Sequence, residues 1–252
     1  MLKSNDKLVK LGSATAKAGF RNEKDIAKKF NHWQIDEEAK TWLKLMNYSL
    51  ENIEHVEAAV LSGYKADINL QIQVTLKTAF DTENIQVKLV SNKKGFNQID
   101  KRWLKTYAQL WSMPQNIFEL LQYFCGELKP YKSDTKDTRR MFLTEFTEYE
   151  RTLILEWFAE NKILILSDCI KGRGEFSAEW ILVAQILENN QRWVLKNINE
   201  VLNFYGQGNV AISPRGSLNI GKITMQRKGG DNGRQTANML QFKIDPMDMF
   251  NI

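Results

Sequence analysis

The strongest constraint on how this chain can fold is the stretch from Lys65 to Lys88, where apolar residues recur at every second place on both sides of a polar gap. In Asp67-Ile68-Asn69-Leu70-Gln71-Ile72-Gln73-Val74 an extended backbone sends Ile68, Leu70, Ile72 and Val74 to one side and Asp67 to the other. A turn is expected at about Thr78 to Glu83. In Asn84-Ile85-Gln86-Val87-Lys88-Leu89-Val90 the alternation resumes, with Ile85, Val87 and Leu89 inward and Gln86 and Lys88 on the opposite face. The pattern predicts a β-hairpin that brings a carboxylate, a side-chain amide and an ammonium together.

That trio has a chemical use. A hard cation such as Mg²⁺ takes oxygen ligands and keeps several waters, so Asp67, the Gln86 amide oxygen and the main-chain carbonyl of Val87 form a sparse candidate metal site. Lys88 is placed to polarise a metal-bound water or to neutralise charge building on a phosphate. Metal-assisted phosphodiester hydrolysis is the reaction such a set suits. The plain alternative from spacing alone is the wet face of an amphipathic hairpin, where Asp and Lys are common.

The order Asp67, then Gln86-Val87-Lys88, resembles the catalytic core of the PD-(D/E)xK nucleases. The longer strings Leu61-Ser62-Gly63-Tyr64-Lys65-Ala66-Asp67-Ile68-Asn69 and Ile85 to Asp100 are similar to a narrower group, the HinP-type type II restriction endonucleases, which cut GCGC and are related to MspI. The resemblance runs through nearly the whole chain. It implies an α/β fold with a mixed central sheet flanked by helices, a Mg²⁺ cofactor and double-stranded DNA as substrate. Asp67, Gln86 and Lys88 are then the catalytic residues. Most of the superfamily has Asp or Glu where this chain has Gln86, so the site carries one negative charge fewer and should hold metal more weakly; the narrower group shares the Gln.

Composition sets bounds on the rest. At 252 residues the chain can be one domain, 1–252, and its 43% hydrophobic content with no apolar run of 18 residues excludes a transmembrane helix. Met1-Leu2-Lys3-Ser4-Asn5-Asp6-Lys7 has no apolar export signal, so a cytoplasmic protein is expected. Cys125 and Cys169 belong to no CxxC pair and read as small buried hydrophobes. The net charge of +5 favours polyanions, and the cations gather after the hairpin (Lys88, Lys93, Lys94, Lys101, Arg102) and near the C-terminus (Arg215, Lys222, Arg227, Lys228, Arg234).

Along the chain, Thr15 to Phe30 reads as a helix that carries Glu23 on the same stripe as Phe20, Ala27 and Phe30. A carboxylate there needs a partner: it acts through water on a metal held by Asp67, as in the nucleases the chain resembles, or pairs with a lysine. Residues Ile35 to Glu57 read as helical with a bend near Asn47, and Glu57 to Tyr64 as the lead into the first strand. The polar loop Ser91 to Gln98 offers Lys93 and Lys94 to phosphates and Asn97 and Gln98 to base edges, and the resemblance implies that Gln98 inserts into the duplex. Asp100 to Phe124 reads as helical, and Gly126 to Arg140 as an irregular connection that either crosses the DNA backbone through Lys132, Lys136, Arg139 and Arg140 or is a plain surface loop.

Glu148 to Asn161 predicts a helix, Lys162 to Ser167 a strand buried on both faces, and Trp180 to Leu187 and Trp193 to Tyr205 helical segments. Lys171-Gly172-Arg173-Gly174 lacks the framing of a phosphate-binding P-loop. From about 206 to 252 the chain turns β-rich, with strands expected at Val210 to Ile212, Leu218 to Gln226 and Met239 to Ile244. The glycine-rich loop Arg227 to Asn238 supplies Lys228, Asp231, Asn232, Arg234 and Gln235 for contacts to G·C pairs in a major groove, or is a solvated hairpin tip.

The expected protein is a Mg²⁺-dependent type II restriction endonuclease with Glu23 as a supporting acid, cutting in line to leave 5′-phosphate ends, binding DNA as a monomer or weak homodimer, with a cognate DNA methyltransferase in the host. The alternatives are a structure-specific or repair nuclease of the same superfamily, and a DNA-binding protein without catalysis.

Overall fold

The computed structural model describes residues 21–61, 69–77, 79–92, 95–188, 190–230 and 234–252, and divides into two compact units. The first takes the chain through Gly95, then Gly172–Val201 and Asp245–Ile252; the second takes Phe96–Lys171 and Leu202–Ile244.

Among the described residues the first unit opens on a helix, α1, at 21–31, followed by α2 at Glu37–Leu45; the part of the expected first helix before residue 21 lies outside them. Asp36 starts α2 by accepting a hydrogen bond from the Ala39 N–H at 3.0 Å, which satisfies one of the donors that a helix N-terminus leaves open. The same carboxylate is 3.1 Å from the Lys29 ammonium on α1, so one side chain caps a helix and ties it to its neighbour. Asn47, at φ +68, ends this region in a left-handed turn.

Three strands follow, β1 (Ile53–Leu61), β2 (Asn69–Leu76) and β3 (Phe80–Val90), paired antiparallel in sequence order. The hairpin is tighter than the sequence predicts: β3 begins at Phe80, not at Asn84, and pairs Thr75↔Phe80 around a short turn. Residues Ile53 to Glu57, read as helical, are already strand. The alternation of β1 is broken by a register shift between Ile53 and His55, which spaces the buried residues as Ile53, Val56 and Ala58, and Asn31 covers the main chain of this edge strand, donating to the Ala58 carbonyl at 3.2 Å and accepting from the Ala58 N–H at 2.6 Å.

The chain leaves for the second unit through β4 (Asn97–Arg102), α3 (Leu104–Leu110), α4 (Gln115–Cys125), α5 (Glu148–Glu160) and α6 (Lys162–Leu166). It returns with β5 (Trp180–Leu187), which pairs parallel to β3, and β6 (Asn190–Asn197), antiparallel to β5. The first sheet is therefore mixed, in the order β1-β2-β3-β5-β6. Leu70, Ile72 and Val74 of β2, Ile85 and Val87 of β3, Leu182 and Ala184 of β5 and Leu195 of β6 form one core with Ile26, Ala27 and Phe30 of α1 and Trp42 and Leu43 of α2. The Phe30 and Trp42 rings meet at 5.2 Å between centroids.

Two apolar runs exchange the roles expected of them. Trp180 to Leu187, read as helical, is the strand β5, with Ile181 to Gln185 all buried. Trp193 to Asn197 belongs to the strand β6, and the helix α7 starts only at Ile198 and runs to Tyr205. Lys162 to Leu166, read as a strand, is the helix α6, which leads into a π turn at Ser167–Lys171; Ile163 on it is 83% exposed. Short apolar runs carry no period that separates a central strand from a helix, so packing decides.

In the second unit, β4 pairs with β10 (Leu240–Ile244), and the sheet continues through β9 (Ile223–Arg227), β8 (Leu218–Ile220) and β7 (Val210–Ile212). Strands expected at Val210 to Ile212 and Met239 to Ile244 are present, but Leu218 to Gln226, read as one strand, is the antiparallel pair β8 and β9, folded back at Gly221, whose φ of +59 suits the tight turn. Asp100 to Arg102, read as the start of a helix, is strand, and the helical part begins at Leu104. Cys125 and Cys169 are both buried free thiols, and burial pushes the Cys125 thiol well above its ordinary range. Among the described residues no helix is long and apolar enough to cross a membrane.

Candidate nuclease site and DNA-reading residues

The strand β3 runs between β2 and β5, so both its edges are hydrogen-bonded. Ile85 and Val87 point into the apolar core. Asn84, Gln86 and Lys88 alternate with them, and all three are buried, Gln86 at 5% and Lys88 at 6% exposure. The face expected to be wet is covered, which removes the solvated-hairpin alternative for these two residues. Burying an amide and an ammonium beside each other on a central strand is costly unless a polar site surrounds them.

Asn84 is the member of this row that sequence reasoning passes over. Its side chain accepts from Gln71 Nε2 at 3.2 Å and donates to the Glu175 carbonyl at 2.9 Å, while its own N–H donates to Glu179 Oε2 at 2.8 Å. It fixes the strand that carries Gln86 and Lys88. The signal is the every-second-residue spacing Asn84, Gln86, Lys88, continued one step back from Gln86. One position upstream of Asn84, Glu83 accepts from Trp180 Nε1 at 2.9 Å and from the Tyr48 hydroxyl at 3.1 Å, and burial pushes its carboxyl up.

Gln86 stands opposite Asn69 in the β2 register and level with Ile181 of β5, and Lys88 stands level with Val183. Asp67 lies outside the described residues. Glu23 is 6% exposed on the stripe of α1 that holds Ile26, Ala27 and Phe30, as expected. That stripe packs with Ile85 and Val87, the residues between which Gln86 alternates to the other side.

The second unit holds the residues expected to contact DNA other than Lys93 and Lys94. Asn97 and Gln98 are not in a loop: they open β4, half-buried, paired with Ile244 and Lys243. Register slips between Phe242 and Lys243, so Ile99 is an extra residue, and this bulge re-aims Gln98 relative to the rest of the strand. Lys243, across the ladder from Gln98, is a cation that sequence reasoning misses; burial pushes its ammonium down. Its signal is its place beside Phe242 in the alternation of the last strand. Lys93 and Lys94 lie outside the described residues.

At the other end of this sheet β9 closes with Arg227, and Lys228 and Gly229 donate to the Met239 and Ala237 carbonyls at 2.8 and 2.9 Å. Gly229 and Gly230 adopt φ +67 and +68, a left-handed turn that suits glycine. Arg234 and Gln235 beyond the turn are exposed, with Gln235 opening a 3₁₀ turn to Asn238, while Lys228 is half-buried. Asp231 and Asn232 lie outside the described residues.

Comparison with known proteins adds two findings. Residues 46–250 match the family described as R.HinP1I restriction endonuclease. The solved structure of restriction endonuclease MspI in complex with its cognate DNA resembles this chain with a TM-score of 0.64 at 16% identity, covering 93% of this chain and 92% of that one, a likeness of fold. No curated protein sequence gives a match.

Proposed function

From a chain that belongs to the R.HinP1I restriction endonuclease family, and is thereby a divalent-metal-dependent type II restriction endonuclease, we propose a Mg²⁺-dependent double-strand cut at GCGC. The fold is the mixed α/β fold of the PD-(D/E)xK restriction endonucleases. The observation that carries the site assignment is the burial of Gln86 and Lys88 side by side on the central strand.

The donors suit a hard cation. The Gln86 amide oxygen and the Val87 carbonyl are oxygen ligands, and among the described residues no group of three His, Cys, Asp or Glu side chains offers a rival site. Asp67 supplies the anionic ligand. When bound, Mg²⁺ supplies Lewis-acid polarisation and charge neutralisation at the scissile phosphate.

The protein's own groups do the positioning. Gln86 would hold the cation through its amide oxygen without adding charge. The Lys88 ammonium donates to the attacking water and to a non-bridging phosphate oxygen, steadying the negative charge that develops there. In-line attack on phosphorus breaks the bond to the 3′ oxygen and leaves a 5′-phosphate and a 3′-hydroxyl. Glu23 takes no direct part here, because its stripe of α1 packs with Ile85 and Val87, on the side of β3 away from Gln86 and Lys88. Gln98 enters the duplex from its bulged strand, Lys93, Lys94 and Lys228 hold phosphates, and Asn97, Asp231, Asn232, Arg234 and Gln235 read base edges. The protein acts in the cytoplasm as a monomer or weak homodimer, beside a methyltransferase that protects host DNA.

Digestion of a plasmid tests this reading. Discrete fragments are expected with Mg²⁺, and none after chelation with EDTA until Mg²⁺ is restored. A smear or nicking instead would favour a structure-specific or repair nuclease, and binding without any cutting would favour a DNA-binding protein that has lost catalysis.

A further inference from the structure

The second unit carries a basic groove of about 730 Å³ lined by Lys136, Asp137, Arg139, Phe142, Pro214 and Arg215. Lys136, Arg139 and Arg215 are exposed and face a single lining carboxylate, so the groove has a surplus of positive charge. Asp137 is already committed three times: Arg139 Nε reaches Oδ1 at 2.9 Å, while Arg140 Nε and Arg227 Nη1 stand 3.8 and 3.9 Å from Oδ2. The hydrogen bond from Arg139 holds the Asp137 carboxyl below its usual range, and burial, with mutual repulsion among the arginines, holds the Arg140 and Arg227 guanidiniums below theirs. Glu145, close by, is occupied as an acceptor for the Lys136 and Phe142 N–H groups at 2.6 and 2.7 Å.

Both rims are fixed in place. Arg139 is held by two side-chain hydrogen bonds to Asp137, at 2.9 and 3.0 Å. Across from it, Pro214 and Arg215 sit on the turn between β7 and β8, which closes through Gly216 N–H to the Ser213 carbonyl at 2.8 Å. This turn is pinned to the opposite rim, because Leu143 N–H donates to the Gly216 carbonyl at 3.0 Å. The approach is so close that a Cβ at Gly216, which has φ +77, would stand 2.6 Å from the Phe142 Cβ. The Arg140 guanidinium lies over the Phe142 ring at 4.2 Å and braces it from the other side. Cations held apart on a rigid frame, with two guanidiniums among them, match the oxygens of a phosphodiester better than they match a compact apolar ligand.

We propose that this groove takes phosphates of a DNA backbone, adding affinity that does not depend on base sequence. The proposal rests on the reading of the chain as an enzyme acting on duplex DNA. It deepens that reading by assigning Lys136, Arg139 and Arg215 to the DNA backbone, apart from the residues that cut and those that read bases. Bonds to phosphates fix where a protein sits on a duplex and set its salt dependence.

The test is equilibrium binding to duplexes of about 30 base pairs, with and without GCGC, in EDTA so that cutting does not intervene. The variants are Lys136→Gln/Arg215→Gln, which breaks no ion pair among the described residues, and the triple variant with Arg139→Gln. The double variant keeps the test intact if the triple one does not fold. Both duplexes should bind about tenfold more weakly, with the slope of log affinity against log salt shallower by about 0.9 for each phosphate the variant no longer neutralises. Cleavage at saturating DNA should keep its rate. Unchanged affinity and salt slope in a folded variant, or a weakening confined to the GCGC duplex, would overturn the proposal alone. A wild-type protein that neither binds nor cuts duplex DNA would overturn the functional reading and this inference with it.

Discussion

Replacing Lys88 by Ala should slow DNA cleavage by about a thousandfold, the loss typical of deleting a donor aimed at developing transition-state charge. Affinity for a GCGC duplex should stay within about threefold, because a group used mainly in the transition state contributes little to ground-state binding. The two effects separate because Lys88 is 6% exposed on an interior strand, where it has no place in a surface that would hold DNA by general electrostatics. Single-turnover cleavage with the variant in excess over DNA measures the first effect, and a filter-binding titration in EDTA measures the second. Retained cleavage would remove Lys88 from the mechanism.

Asp168→Ala should lower the unfolding free energy by about 2–4 kcal/mol, the cost of losing two hydrogen bonds to a carboxylate and leaving the buried Trp111 indole N–H without its acceptor. Asp168 is 3% exposed, and its Oδ2 accepts from Arg102 Nη1 and from the indole Nε1 of Trp111, each at 2.8 Å. Arg102 also reaches Asp100 Oδ2 at 2.9 Å, and the stacked rings of Tyr107 and Trp111 close over the group. Burial, with Asp100 close by, drives the Tyr107 hydroxyl far above its ordinary range, as expected of a phenol in so dry and acidic a setting. Since Arg102 ends the strand that Asn97 and Gln98 begin, the same variant should weaken discrimination for its site. Urea unfolding monitored by tryptophan fluorescence measures the stability change, and a loss under about 1 kcal/mol would mean that water replaces the carboxylate there.

The parts of this molecule that are legible in its sequence are those with a period. The alternation in Leu70, Ile72 and Val74 and in Ile85 and Val87 names the two central strands and their inner face, and it separates Gln86 and Lys88 from the core. The helix at Glu148–Glu160 announces itself through Thr147 and Glu150, whose side chains satisfy each other's main-chain N–H groups. What alternation cannot do is say whether the second face is wet. Its burial around Gln86 and Lys88 follows from tertiary packing that no local pattern records.

The errors have the same origin. Trp180 to Leu187 and Lys162 to Leu166 are both short and continuously apolar, and only the strands or helices that meet them decide their form. Asn97 and Gln98 look like loop residues because they are polar; their partner in the ladder, β10, lies about 140 positions further along the chain. Lys136 and Arg139 are legible as cations that could cross a DNA backbone, but their groove is not, since they come to face Arg215 only through the docking of a turn on Phe142.

Sequencing the ends of plasmid fragments made by the purified protein in Mg²⁺ tests the central claim most directly. The account predicts 5′-phosphate ends that all fall at the same position within GCGC, and none from the Lys88→Ala protein. Ends scattered over unrelated sequences, or the same fragments made in EDTA, would contradict it.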